Sequence, residues 1–121
     1  MQAIQSYLDS TYLKTDYESG SEFLQNFILE AIEHEFKLVM IRPEIVSFAR
    51  TLIDNKNSKT LVGTVIDFPL GNSSLEDKIS QANIAIENGA DELDFVINYE
   101  AFKNGQEALL KEQILKCTSL C

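Results

Sequence analysis

Residues Gly89 to Asn98 read GADELDFVIN, and the alternation within them decides the fold. Asn88-Gly89 is a helix-stopping pair, and an extended run follows it from Glu92 to Asn98. Along a strand, Leu93, Phe95 and Ile97 point one way, while Glu92, Asp94, Val96 and Asn98 point the other. One face is apolar and the other partly charged. In a barrel the apolar set meets the surrounding helices, and Asp94 is directed into the interior, where a carboxylate must be paired or titrate abnormally. At an edge strand with one solvated face, Asp94 is instead an ordinary surface acid, and the pattern alone leaves both readings open.

Working back towards the N-terminus, the apolar period switches between helix-like and strand-like at each cap or turn. Leu75, Ile79, Ala82 and Ile86 predict one helix, opened by a Ser73/Glu76 capping box. Before it lie the β-rich run Thr60 to Ile66 (TLVGTVI) and the turn Asp67 to Asn72 (DFPLGN). Ile45, Val46, Ala49, Leu52 and Ile53 form the buried stripe of a helix with Pro43 in its first turn, preceded by a strand at Lys37 to Ile41. Phe23, Leu24, Phe27, Ile28, Ala31 and Ile32 predict a helix over Ser21 to His34, with Ser19 and Glu22 as its capping box. The first strand is expected at Ile4 to Asp9.

Beyond GADELDFVIN, a loop with Asn104-Gly105 leads to a last helix from Glu107 to about Leu120. The result is an α/β chain, residues 1–121 as a single domain, with about four βα units whose length suits parallel crossovers. A small doubly wound sheet and the first half of a (β/α)8 TIM barrel both fit; a whole barrel takes about 250 residues. No G-x-G-x-x-G or P-loop favours a nucleotide fold. The last helix runs to Cys121 with neither a glycine stop nor a following proline, so the chain is expected to be cut, its C-terminal half absent.

The net charge of −9 is spread along the chain, which argues against nucleic-acid and anionic-membrane partners. The N-terminus lacks the features of a secretory signal, and no apolar run approaches the ~20 residues of a bilayer span, so a cytoplasmic protein is expected. Cys117 and Cys121 match neither a CxxC motif nor a disulfide framework and read as reduced thiols. With a single histidine, His34, no zinc site of usual composition assembles, and no calcium-loop spacing occurs; no metal and no cofactor are expected. His34 reads better as a helix C-terminal partner than as a catalytic group. Asp9, placed with Ser10 and Thr11 at the end of the expected first strand, is either a site residue or a turn aspartate, and locally the latter reading is the better one.

Four segments, in order, resemble the deoxyribose-phosphate aldolases: YLDSTYLKTD (7–16), KLVMIRPEIVSFA (37–49), LVGTVIDFPLGN (61–72) and NGADELDFVINYEAFKNG (88–105). The GADE-x-D and TV-x-x-FP-x-G elements are the specific ones. The resemblance implies a class I aldolase, a carbon–carbon lyase on a TIM barrel that cleaves a phosphorylated deoxy-sugar, 2-deoxy-D-ribose 5-phosphate, to D-glyceraldehyde 3-phosphate and acetaldehyde through a lysine Schiff base. It implies a proton-relay role for Asp94 and places Asp9, Thr11 and Met40 in the substrate pocket. The Schiff-base lysine belongs to motifs of the KTSTG and GxKxxGG kind, and neither is in this chain, so the fragment alone is expected to be inactive. Two residues depart from the family pattern. Met40 stands where a cysteine is usual, and Asp67, before Phe-Pro, adds a negative charge near a site for a phosphorylated substrate.

The alternative from another class is a non-catalytic half-barrel that forms a homodimer or binds a partner, covering its open edges and apolar face. A different phosphosugar barrel enzyme is the third reading, since fold does not fix chemistry.

Overall fold

The computed structural model describes residues 3–16 and 21–121. Four parallel strands, β1 (Asp9–Tyr12), β2 (Leu38–Ile41), β3 (Leu61–Ile66) and β4 (Glu92–Phe95), make one sheet in the order β1-β2-β3-β4. Helices α1 (Glu22–Glu33), α2 (Val46–Asn55) and α3 (Leu75–Glu87) fill the crossovers, and α4 (Tyr99–Lys103) and α5 (Glu107–Thr118) follow β4. The strand order never reverses, so the sheet has no topological switch point of the doubly wound kind. It is the first half of a TIM barrel.

Register explains why the helices gather on one side. Val39, Ile41 and Val62 point to the face where Leu24, Ile28 and Ala31 of α1 meet Ala49 and Ile53 of α2, all of them buried. Ile66, Leu93 and Phe95 continue that face against Ala82 and Ala85 of α3. Each fully buried Ile or Leu contributes about 1.5–3 kcal/mol, so this layer dominates the driving force for folding. The opposite face carries Leu38, Met40 and Val65, packed with Leu13 and Leu61 and with no helical residue. Gly63 lies between them in register with Met40, and a Cβ there would stand 2.7 Å from Met40 Cε and 3.0 Å from the Leu38 methyls. The absent side chain lets Leu38 and Met40 lie flat across the sheet, which is how an uncovered face still buries Leu38 completely.

Several sequence expectations shift. Ile4–Tyr7 is a turn of 3-10 helix and not a strand, closed by Ser6 N–H to the Ala3 carbonyl and Leu8 N–H to that of Gln5, each 3.1 Å. Ile4 and Tyr7 are largely exposed, so no apolar layer was available to hold an extended segment there. The strand starts at Asp9. Helix α1 is capped by Ser21, whose Oγ accepts from Leu24 N–H at 3.3 Å; Ser19 lies outside the described residues. In α3 the cap is Ser74 and not Ser73, with Asp77 N–H donating to its Oγ at 3.1 Å. The Ser73 N–H is already committed to the Asp67 carboxylate.

The buried stripe of α3 is Lys78, Ala82 and Ala85, while Ile86, expected inside, is 42% exposed. Strand β4 ends at Phe95, and Ile97 leaves the helix-facing row and is half exposed. The expected loop after it holds α4, capped by Asn98 Oδ1, which accepts from Ala101 N–H at 3.0 Å.

The revised cap is directly testable. Ser74→Ala should lower stability by about 1 kcal/mol, the usual cost of a lost N-cap, and Ser73→Ala by no more than a few tenths. Urea denaturation of the two variants checks this, and the reverse ranking would restore the Ser73 capping box.

Candidate functional site

In a parallel sheet, residues two apart share a face, and the register assigns the candidates. Asp9 pairs with Leu38, Thr11 with Met40, Met40 with Gly63, Gly63 with Glu92, and Val65 with Asp94. Asp9, Thr11, Met40 and Asp94 therefore all lie on the helix-free face. Its centre, on β2 and β3, is apolar; its flanks, on β1 and β4, are polar. Asp9, Thr11 and Asp94 are exposed and Met40 is buried.

The face does not bring all four together. Thr11 and Met40 are direct cross-strand neighbours. Asp94 lies nearer the carboxyl end of the sheet, in register with Val65 on the opposite edge strand from Thr11. Asp9, expected at the end of the first strand, is instead its first residue, because the preceding segment is 3-10 helix. That places it towards the amino end, away from where barrel enzymes gather catalytic groups. Among the described residues, no three His, Cys, Asp or Glu side chains are grouped to hold a metal ion. Nor, among those residues, is any helix long and apolar enough to cross a membrane.

The sequence reading missed two basic residues that build the frame of this face. Lys78, on α3, is 1% exposed. Its Nζ donates to the Gly71 carbonyl at 2.8 Å and the Val96 carbonyl at 2.7 Å, and lies 2.8 Å from Asp67 Oδ2. An ammonium has three donors, and here each has an acceptor. Asp67, at φ 59°, also takes the Ser73 N–H at 2.9 Å, while its own N–H donates to Gln81 Oε1. Asp67 therefore does not add a free negative charge to the site, contrary to expectation. Its charge is spent on Lys78. The available clue was a lysine on the apolar stripe of a predicted helix, at 78 with 75, 82 and 85.

Arg50, on α2, explains the front of the GADELD motif. Its Nη1 is 2.8 Å from Asp91 Oδ2, which also accepts the Val62 N–H at 2.9 Å, and Asp54 binds its other side. Gly89, at φ 104°, lies so near that a Cβ would stand 2.6 Å from Arg50 Cγ. Gly89 and Asp91 thus position the start of β4, and Asp94 alone of the motif's three acids is exposed at its carboxyl half on the helix-free face. His34 is the C-cap of α1, and Cys117 is a free buried thiol pushed up by burial, with the Lys78 charge opposing.

Burial raises the Asp67 carboxyl, but the hydrogen bonds from Lys78 and Ser73 outweigh it and hold its pKa below the ordinary aspartate value. A folded-state pKa below the unfolded one means stability that is fully present above about pH 4 and is lost as pH falls through the folded value. Asp67→Asn should flatten that acid-side loss, as read from denaturation midpoints between about pH 2 and 6. Lys78→Met should cost about 3–5 kcal/mol at neutral pH, because it strands a carboxylate and two carbonyls. A midpoint unchanged in Lys78→Met would remove the pair from the folding argument.

Comparison with known proteins agrees with this geometry. No family model matches the chain. The deoxyribose-phosphate aldolase of Metamycoplasma hominis is 39% identical over 121 residues, all of this chain and 54% of that protein. That of Lactococcus lactis subsp. lactis is 42% identical over 111 residues, 92% of this chain and 49% of that protein. Among solved structures, QR15, an aldolase, aligns with TM-score 0.84 at 30% identity, over 93% of this chain and 48% of that one. The tetrameric deoxyribose phosphate aldolase of Aeropyrum pernix aligns with TM-score 0.82 at 28% identity, over 96% and 46%. The chain spans about half the length of the curated relatives it matches. By sequence and by fold it is similar to the first half of the deoxyribose-phosphate aldolases, over the first four strand–helix units of their barrel.

Proposed function

We propose that this chain supplies one wall of a deoxyribose-phosphate aldolase active site, in a parent that reversibly cleaves 2-deoxy-D-ribose 5-phosphate to D-glyceraldehyde 3-phosphate and acetaldehyde. The observation that carries the reading is the placement of Asp94, exposed on the helix-free face towards the carboxyl end of β4, on the same face as Thr11 and Met40.

In this reading a lysine amine from the other half of the barrel adds to the substrate aldehyde and loses water, forming a Schiff base. The iminium accepts the electron pair of the breaking C2–C3 bond. Asp94 pairs with a second lysine and relays protons through water, while Thr11 and Met40 line the pocket. Asp9, at the amino end of β1, has at most a supporting part. The eight lysines of this chain include none in a KTSTG or GxKxxGG context, and the most deeply buried, Lys78, is paired with Asp67. The chain by itself is therefore inactive. The parent is a cytoplasmic enzyme needing no metal or cofactor.

Borohydride reduction in the presence of acetaldehyde tests the absence of a nucleophile. Intact mass should be unchanged, and a lysine carrying a reduced two-carbon adduct at stoichiometric level would sink this assignment.

A self-pairing half-barrel is the second reading, favoured by the open outer edges of β1 and β4. Against it, two copies meeting face to face would oppose Asp9, Glu92 and Asp94 of one to the same acids of the other. Sedimentation equilibrium at neutral pH should accordingly give no discrete dimer. A stable two-copy species that strengthens when Asp94 is replaced by Asn would favour the paired half-barrel.

A further inference from the structure

At the amino end of the sheet, opposite the proposed catalytic end, the 3-10 turn, the α1–β2 loop and the α2–β3 loop enclose a cleft of about 770 Å³. We propose that this cleft is a second site, for a small organic phosphate with an apolar or aromatic body. Three lysines, Lys37, Lys56 and Lys59, line it against a single acid, Glu35, in a chain whose net charge is −9. Lys37 is 3.9 Å from Glu92, both half exposed, which is a weak pairing. Lys56 and Lys59 make no ion pair among the described residues.

The backbone of the cleft is already committed. Lys37 N–H donates to the Leu8 carbonyl, Leu61 N–H to that of Lys37, and Thr60 Oγ1 to that of Phe36. The N–H groups of Lys56, Asn57 and Ser58 close the end of α2 on the carbonyls of Leu52, Asp54 and Ile53. Recognition therefore falls to side chains, with two free ammonium groups for a phosphate and Phe36 and Ile32 as the apolar wall. The volume is within the range of small-molecule sites, about 300–1,000 Å³. The competing explanation is that these lysines offset the dipoles of the C-terminal ends of α1 and α2. It accounts for Lys56 at the C-cap but not for Lys59 or for the cleft.

The test is titration of the 121-residue chain with a nucleoside monophosphate, the matching uncharged nucleoside and inorganic phosphate, followed by amide chemical shifts. Saturable shifts confined to Phe36–Lys37 and Lys56–Thr60 are expected from the nucleotide. Inorganic phosphate should bind more weakly at the same amides, and the nucleoside should leave them in place. Lys56→Gln with Lys59→Gln, both exposed and outside the core, should weaken nucleotide binding at least about tenfold, or ~1.4 kcal/mol, with the rest of the spectrum unchanged. Three results would overturn the site: no saturable shift, equal binding by the nucleoside, or undiminished binding by the double variant. None of them bears on the aldolase reading, whose residues lie on the helix-free face and towards its other end.

Discussion

The buried ammonium of Lys78 fixes the end of the sheet where the proposed chemistry lies. It joins three segments: the Asp67 carboxylate at the exit of β3, the Gly71 carbonyl in the following turn and the Val96 carbonyl just beyond β4. Removing two charges from water costs several kcal/mol each, and such a pair persists only where further hydrogen bonds complete it. Here Ser73 N–H donates one to the carboxylate, and Lys78 Nζ donates the rest to the two carbonyls. Gly71 is what allows the segments to converge. At φ 68° its α-carbon faces the chain after β4, and a Cβ would stand 2.2 Å from the Ile97 carbonyl oxygen. The FPLG turn and the end of GADELDFVIN are thus two sides of one contact.

The second constraint is the one-sidedness of the sheet. Every large apolar side chain of the helix-facing rows is covered by α1, α2 or α3, whereas the other face closes only by laying Leu38 and Met40 across Gly63. That economy leaves the polar rows of β1 and β4 exposed, and they carry Thr11 and Asp94. Stability and site are therefore divided between faces. Arg50 keeps the division in register at β4 by binding Asp91 and packing on Gly89, so that the next residues present Leu93 to the helices and Asp94 away from them.

How much of this was legible in the sequence depended on the range of the interaction concerned. Parallel strands buried on both sides or on one side leave a period in the sequence, so β2, β3 and β4 could be read within a few residues, and the placement of Asp94 on the face opposite Leu93 and Phe95 followed from alternation alone. Ile4–Tyr7 could not. Its apolar residues suit a strand, yet no layer faces them, and local hydrogen bonds determine a 3-10 turn. The choice between Ser73 and Ser74 as the cap of α3 was equally hidden, since it turns on whether the Ser73 N–H is claimed by Asp67, a residue in another element.

The sequence by itself determined the alternating βα order, the helix-facing rows and the aspartate on the other face, because each follows from neighbours two to four residues apart. Tertiary structure decided that the sheet runs in unreversed order and that Asp9 starts its strand. It also decided that the Asp67 carboxylate is paired and that a lysine lies buried among helix-stripe positions. The last two depend on groups brought together from positions 67, 71, 78 and 96, and the first two on which strands pair and in what register; no local period records either.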